Sequence, residues 1–353
     1  MRYLTAILVC ASGLALLAQQ PRISNTQFTV EPTGGNLTAT ADRFRHSTDR
    51  LWLGYEVPAL PQSHLSICSN GSDPSPMDDG CCGEYRLEED GNSRVNRTEN
   101  TGAVQNIDVL LRFDHGELAR VRVVVAGCRL NAGGVAFTWL TGVDPENSVS
   151  FLTQLAMQDQ ASSSYRVSSG ALVSISYHAT PAATHALLQI ASSATPMHVR
   201  EQAAFWLGVQ RGHDGLLALQ SLENKTADAA LREKLPFDFS QNSDPGAEDE
   251  LVHMARSDAD TKVREQALFW LAQKAGRKAT AALADAIQND PETDVKKKAV
   301  FALSQLPKDE SVPQLIRVAD TNSNPVVRKE AFFWLGQSQD PRALAYLEQV
   351  LTR

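Results

Sequence analysis

The amino-acid sequence predicts a mainly helical α+β protein, with a small β-rich unit followed by a right-handed α-solenoid of stacked helix pairs. Three observations carry this. The chain has 353 residues, more than one compact domain usually holds, so two units are expected. Its character changes near residue 145: no lysine precedes Lys225, and glycine-rich turns with alternating apolar runs give way to amphipathic segments of helical period. In the second part a ten-residue pattern then recurs at a fixed spacing of 32 residues.

Met1-Arg2, an apolar run from Leu4 to Ala18 and the polar Gln19-Gln20-Pro21 have the layout of a signal peptide covering residues 1–18. The run is shorter than the roughly twenty residues that cross a bilayer, so no stable membrane span is expected once it is removed. The mature protein is expected to be secreted or periplasmic. Removal of the leader discards Cys10 and leaves Cys68, Cys81, Cys82 and Cys128, an even number in a compartment where disulfides persist. Adjacent Cys81 and Cys82 bond to each other awkwardly, so each is expected to pair with Cys68 or Cys128; spacing does not choose between the two arrangements.

Residues 19–143 form the expected β-rich, cysteine-containing unit. Strands are predicted at Leu51–Val57, Ile107–Phe113, Leu118–Val125 and Val135–Leu140. Asp114-His115-Gly116-Glu117 joins the second and third as a hairpin turn, and the Gly-, Ser- and Asp-rich stretch from Ser69 to Thr101 reads as a long loop. Asp144-Pro145 is a helix start, with Asp as cap and Pro at the first helical position. It opens a linking helix from about Pro145 to Met157 within residues 144–164.

The repeats occupy 165–353. Val199–Gly208 (VREQAAFWLG) returns at Val263–Ala272 (VREQALFWLA), Val295–Ser304 (VKKKAVFALS) and Val327–Gly336 (VRKEAFFWLG). A degenerate copy stands at Leu231–Ser240 (LREKLPFDFS), and an eroded first copy is expected near Val167, with helices at Ala171–Ala179 and Pro181–Ala191. A second amphipathic segment follows each: Gly215–Leu222, Glu248–Ala255, Ala279–Ile287, Val312–Val318 and Arg342–Leu351. Helix pairs that cannot bury their apolar faces alone must stack on their neighbours. The Val-Arg-x-x-Ala-x-x-x-Leu-Gly core, with turns such as Asp290-Pro291, resembles the short HEAT repeats related to phycobilisome lyases. That resemblance implies the solenoid fold and a family of scaffolds, adaptors and a few lyases. The N-terminal half resembles no family closely, although repeat proteins with such leading domains look like a bacterial secreted type.

At about 100° per residue, Val263, Ala267 and Leu271 share one stripe, the expected buried seam. Phe205, Phe237, Phe269, Phe301 and Phe333 fall nearly opposite, with Gln241, Gln273, Gln305 and Gln337 on the same side. Such a ladder is an aromatic strip with amides able to hold an extended peptide backbone; as plain core it is inter-repeat packing. Trp206, Trp270 and Trp334 are expected at helix interfaces. The basic series Arg200, Arg232, Arg264, Lys296 and Arg328 is expected to tie adjacent turns through carboxylates such as Asp258 and Asp290.

No phosphate loop, His-Glu-x-x-His, Gly-x-Ser-x-Gly or Cys-x-x-Cys is present, and the histidines are scattered; no catalytic residue, metal ligand or cofactor is assigned. A net charge of −8 argues against nucleic acid as a partner. Asn36, Asn70, Asn96 and Asn224 lie in glycosylation sequons. The function expected is a non-catalytic scaffold binding a protein or peptide outside the cytoplasm. The alternatives are a lyase-like enzyme with its site between the β unit and the first repeats, and a thiol-redox or metal-sensing N-terminal domain.

Overall fold

The computed structural model describes residues 21–60, 66–68, 81–82, 84–89, 93–94, 104–158 and 165–352. The expected leader lies outside these residues.

The N-terminal unit contains β1 (Arg22–Ser24), β2 (Phe28–Pro32), α1 (Leu37–Phe44), β3 (Leu51–Pro58), β4 (Ser66–Cys68), β5 (Cys81–Cys82), β6 (Glu84–Arg86), β7 (Ser93–Arg94), β8 (Asn106–Asp114), β9 (Glu117–Val125), β10 (Arg129–Asn131) and β11 (Ala136–Thr141). The main sheet has the order β2-β11-β3-β8-β9, with β11 parallel to both β2 and β3 and the remaining pairs antiparallel. The four strands read from the sequence are β3, β8, β9 and β11. The β8–β9 hairpin turns on His115 and Gly116, both at positive φ, so the histidine, not Asp114, shares the left-handed turn with the glycine. The stretch from Ser69 to Thr101 is not one uninterrupted loop, since it contributes β5, β6 and β7.

Both faces of the main sheet are covered. Tyr55 of β3 points toward the helical part of the molecule, whereas Trp52 on the opposite face donates to Glu88, 2.7 Å away, in the turn after β6. Glu88 also receives Arg112 of β8 at 2.8 and 3.0 Å, so one carboxylate ties two strands to the segment lying over them. Phe137 crosses β3 at Gly54, where a Cβ would stand 2.7 Å from the ring. Cys128 is buried and disulfide-bonded; the side chains of the other three retained cysteines lie outside the described residues.

The helices follow as α2 (Pro145–Met157), α3 (Tyr165–Tyr177), α4 (Ala182–Ala191), α5 (Met197–Gln210), α6 (Gly212–Lys225), α7 (Ala229–Arg232), α8 (Leu235–Gln241), α9 (Gly246–Ser257), α10 (Thr261–Ala275), α11 (Thr280–Asn289), α12 (Thr293–Ser304), α13 (Lys308–Thr321), α14 (Pro325–Gln337) and α15 (Pro341–Leu351). Asp144 caps α2, accepting from the Glu146 and Asn147 amides. The degenerate copy is a broken first helix, α7 then α8, with Pro236 in the first turn of the second piece, where its missing N–H costs no hydrogen bond. Val263, Ala267 and Leu271 are buried as the seam requires.

The first helices of the pairs, α3, α5, α8, α10, α12 and α14, pack directly on one another, and the second helices, from α4 to α15, form a looser outer layer. At the N-terminal end α2 stands ahead of α4 in the outer layer, and β9 packs on α3 where a preceding first helix would lie. The approach is close: a Cβ on Gly170 of α3 would stand 2.1 Å from the Val121 carbonyl of β9. The sheet thus covers the end of the solenoid that stacked repeats must protect. The seam is sealed by backbone bonds, with Leu60 N–H donating to Tyr177 O at 2.7 Å and Ala179 N–H to Pro58 O at 3.1 Å.

Candidate functional site: the aromatic ladder and the repeat junctions

The five phenylalanines of the repeated helices lie along one line of the first-helix layer. Phe205, Phe237, Phe269 and Phe301 are half-buried, and Phe333 is 54% exposed. They form pairs. Phe205 stacks on Phe237 with centroids 5.9 Å apart and planes at 11°, and Phe269 stacks on Phe301 at 6.0 Å and 3°.

Between the pairs the tryptophans make the link. Trp270 meets Phe237 at 4.7 Å and stands edge-on to Phe269 at 4.9 Å; Trp334 repeats this with Phe301 at 5.0 Å and Phe333 at 5.0 Å. The alternation of Trp with Asp238 and Ala302 is therefore structural: a stacked pair needs no third ring, and a pair-to-pair step does. Each contact adds about 0.5–1.5 kcal/mol beyond burial.

The ladder neither stands free in solvent nor disappears into the core. Its edges remain open, lined by Gln273, Gln305 and Gln337, which are exposed, and by half-buried Gln241. The Gln241 and Gln305 amides donate to Ser240 and Ser304 at 3.0 and 3.1 Å, which holds them beside the rings. Lys298 lies over the second stacked pair, its ammonium 5.2 Å from Phe269 and 5.0 Å from Phe301.

The basic series is occupied in holding turns together. Arg200 pairs with Asp228 at 2.6 Å, Arg232 with Asp258 at 2.5 Å, and Arg264 grips Asp290 through two bonds of 2.8 and 3.2 Å. Each aspartate belongs to the linker into the next repeat and also accepts from a backbone amide there, such as Glu292 N–H on Asp290 at 2.9 Å. In the two later repeats the cations bond carbonyls instead, Lys296 to Gln288 and Arg328 to Asn322.

A polar chain that sequence reading missed runs through the joint between sheet and helices. His178 Nδ1 donates to the Ser174 carbonyl at 2.8 Å, which leaves Nε2 to accept from the Ser148 hydroxyl at 2.8 Å, and Tyr55 donates to Ser148 at 2.8 Å. All three side chains are fully buried, and burial pulls the His178 pKa down to about 4. The serine–histidine distance is that of a nucleophile and its base. Here, however, no solvent reaches it and a carbonyl stands where a carboxylate would orient the ring, so the chain locks β3, α2 and α3 together.

Two clefts open at successive repeat junctions. One, of about 330 Å³, is lined by Glu223, Asn224, Thr226, Arg232, His253, Met254, Ser257, Asp258 and Ala259. The other, of about 210 Å³, is lined by Ala255, Arg256, Asp258, Arg264, Asp285, Ala286, Asn289, Asp290 and Pro291. Every residue of the second is a residue of the first plus 32, so the two are one structure made twice. Among the described residues, no three His, Cys, Asp or Glu side chains converge as metal ligands would, and no helix is long and apolar enough to cross a membrane.

No curated protein matches the chain. Human deoxyhypusine hydroxylase, solved in complex with glycerol, is similar to it in structure at 17% identity, over 58% of this chain and 90% of that one, with a TM-score of 0.33. A likeness of that size says nothing about activity. Residues 248–333 and 280–353 match the family described as HEAT repeats, which leaves out the copies at Val167, Val199 and Leu231. The C-terminal region is thus a run of HEAT repeats, a helical-repeat scaffold whose helix pairs continue by period and packing back to Tyr165.

Proposed function

We propose that this protein is a non-catalytic scaffold that holds an extended segment of a partner protein or peptide along the first-helix layer, outside the cytoplasm. The observation that carries the reading is the half-exposed ladder, continuous from Phe205 to Phe333 and flanked by side-chain amides. Ring faces and edges offer apolar contact area without long flexible side chains to immobilise, and the glutamines can meet the amides and carbonyls of a strand that has no sheet to pair with. The Ser148–His178 pair lends no support to a hydrolytic reading, because it is walled in.

The test is capture of a partner from an extracellular or periplasmic extract by three forms of the mature protein: unaltered, Phe333→Ser, and Phe269→Ser with Phe301→Ser. Phe333 is the least buried ring of the five, so its substitution is expected to lower the melting temperature only by what its contact with Trp334 is worth and to reduce capture; the double variant, provided it folds, is expected to lose it. Equal capture by the unaltered and Phe333→Ser proteins and by a folded double variant would remove the ladder from the binding surface.

A further inference from the structure

The last helix pair keeps, uncovered, the face that earlier pairs bury on their successors. Val312 and Ala319 of α13 are buried, whereas the residues 32 positions on, Leu344 and Leu351 of α15, are 60% and 87% exposed and still apolar. Gly336 of α14 repeats Gly208 of α5. A Cβ on Gly208 would stand 2.3 Å from the Asp238 carbonyl of the next first helix, while nothing lies within 4 Å of the same point on Gly336. Phe333 has the phase of Phe205 and Phe269, each the first ring of a stacked pair, and among the described residues it has no second ring. Val326 adds an exposed apolar residue where the earlier copies carry His198, Ala230, Lys262 and Asp294. Stacked repeats ordinarily end on a polar outer face, and an apolar end marks a surface that something covers.

The solenoid has two ends, and only this one is open. At the other, β9 lies on α3 with the Val121 carbonyl against Gly170, so the last repeat of one copy cannot stack on the first repeat of another. Head-to-tail growth is thereby closed. The repeat face that a second copy can still offer is the same end face, and two identical faces meet about a two-fold axis.

The charges on the face choose that axis. Lys329 stands one turn before Phe333 on α14, and Glu348 stands between Leu344 and Leu351 on α15; all five are exposed. Phe332 stacks on Tyr346 at 6.0 Å, which fixes the register of the two antiparallel helices and sets Phe333 level with Leu344, Lys329 with Glu348 and Val326 with Leu351. A two-fold axis running midway along the helices carries each helix onto the other at unchanged height. Phe333 then meets the partner subunit's Leu344, Lys329 the partner subunit's Glu348, and Val326 the partner subunit's Leu351. An axis across the helices would instead set Lys329 beside its own image and Glu348 beside its own, like charge against like.

We propose that the face of α14 and α15 is the contact of a two-fold dimer, in which the last repeats of two copies stack tail to tail with α14 of each on α15 of the other. Helices of 13 and 11 residues side by side present a face of roughly 20 by 20 Å, which puts the contact at the small end of specific interfaces. The dimer goes beyond the capture of a partner along the ladder and does not depend on it.

The test is the mass of the purified, full-length mature protein by light scattering and sedimentation over about 1 to 100 μM, the range in which an interface of this size dissociates. The unaltered protein is expected to pass from monomer to dimer and no further. Leu344→Asp, which puts two charges into the contact, is expected to weaken the dimer at least about a hundredfold. Lys329→Glu and Glu348→Lys each set like charges together twice and are expected to weaken it about tenfold, and the double variant, with the charges exchanged, is expected to restore it. All these positions are exposed, so the melts of the dissociated variants check that the fold is kept. A monomer at every concentration, a mass that climbs past the dimer, a dimer indifferent to Leu344→Asp, or a double variant no better than the single ones would overturn the proposal. Association is read without any captured partner and no variant alters a ring, so failure of the ladder and failure of this contact are read separately.

Discussion

Glu223 and His178 tilt the pH dependence of stability in opposite directions. Glu223 is held up to about 7 in the fold against an ordinary value of 4.5. Below pH 4.5 it is protonated whether folded or not; between 4.5 and 7 only the folded chain keeps the proton, so stability falls as pH rises and stays reduced above 7. His178 is a base held down to about 4 against 6.5, so its contribution is complete above pH 6.5 and is lost as pH falls toward 4. Thermal melts from pH 4 to 8 are expected to show Glu223→Gln melting higher than the unaltered protein above pH 7. His178→Gln, which keeps an acceptor for Ser148, is expected to lose the acid-side decline. A Glu223→Gln protein whose melt tracks the unaltered one at every pH would place that carboxyl in ordinary solvent. Neither group announces itself in the sequence, because a titration set by burial and by neighbours 27 or 30 residues away has no local signature.

At the scale of elements, the joint between α3 and β9 is the place where one added methyl matters most. With a Cβ expected 2.1 Å from a backbone carbonyl, Gly170→Ala requires the helix or the strand to move, and is expected to cost about 1–3 kcal/mol as overpacking does. Chemical denaturation should report that loss, whereas Gly336→Ala, with open space around its Cβ position, should change little. The long strands β3, β8, β9 and β11 were legible because each carries a run of apolar or β-branched residues, and the repeated helices because they recur. β1, β2 and β10 span only three to five residues and gain their hydrogen bonds from strands distant in sequence, Arg22 pairing with Arg129 and Phe28 with Phe137, so local pattern could not find them. Helix α1 escaped for a different reason: its cap is Asn36, which reads first as a glycosylation sequon and in the structure accepts from the Ala39 amide at 2.9 Å. The clefts were within reach of sequence, since the period that aligns the valines also aligns 223 with 255 and 224 with 256; attention to apolar positions alone passed over them.

For the molecule as a whole, the sheet and the solenoid form one continuous core, with the sheet in the place of a terminal capping repeat. A chain beginning at Asp144 would expose the face of α3 that β9 now covers. It is expected to melt at a lower temperature and to form larger species than the unaltered protein in light scattering, whereas two independent units would leave the association state of the helical part and its melt unaltered. The sequence placed a boundary near residue 145 and could not show that the two sides share a core, because a glycine under a strand looks like any other glycine in a helix.

The ring alternation also sets the step in which such a protein can grow or shrink. Excising residues 263–326 brings Trp334 to the place of Trp270, so Phe237 finds the same kind of partner and the array closes. Excising 263–294 alone brings up Ala302, and Phe237 faces a methyl group across a gap. Single repeats of 32 residues are therefore out of phase, and the inheritable quantum of length is the pair: a lineage, or a designer, can lengthen this solenoid by 64 residues at a time and keep every ring-to-ring contact in step.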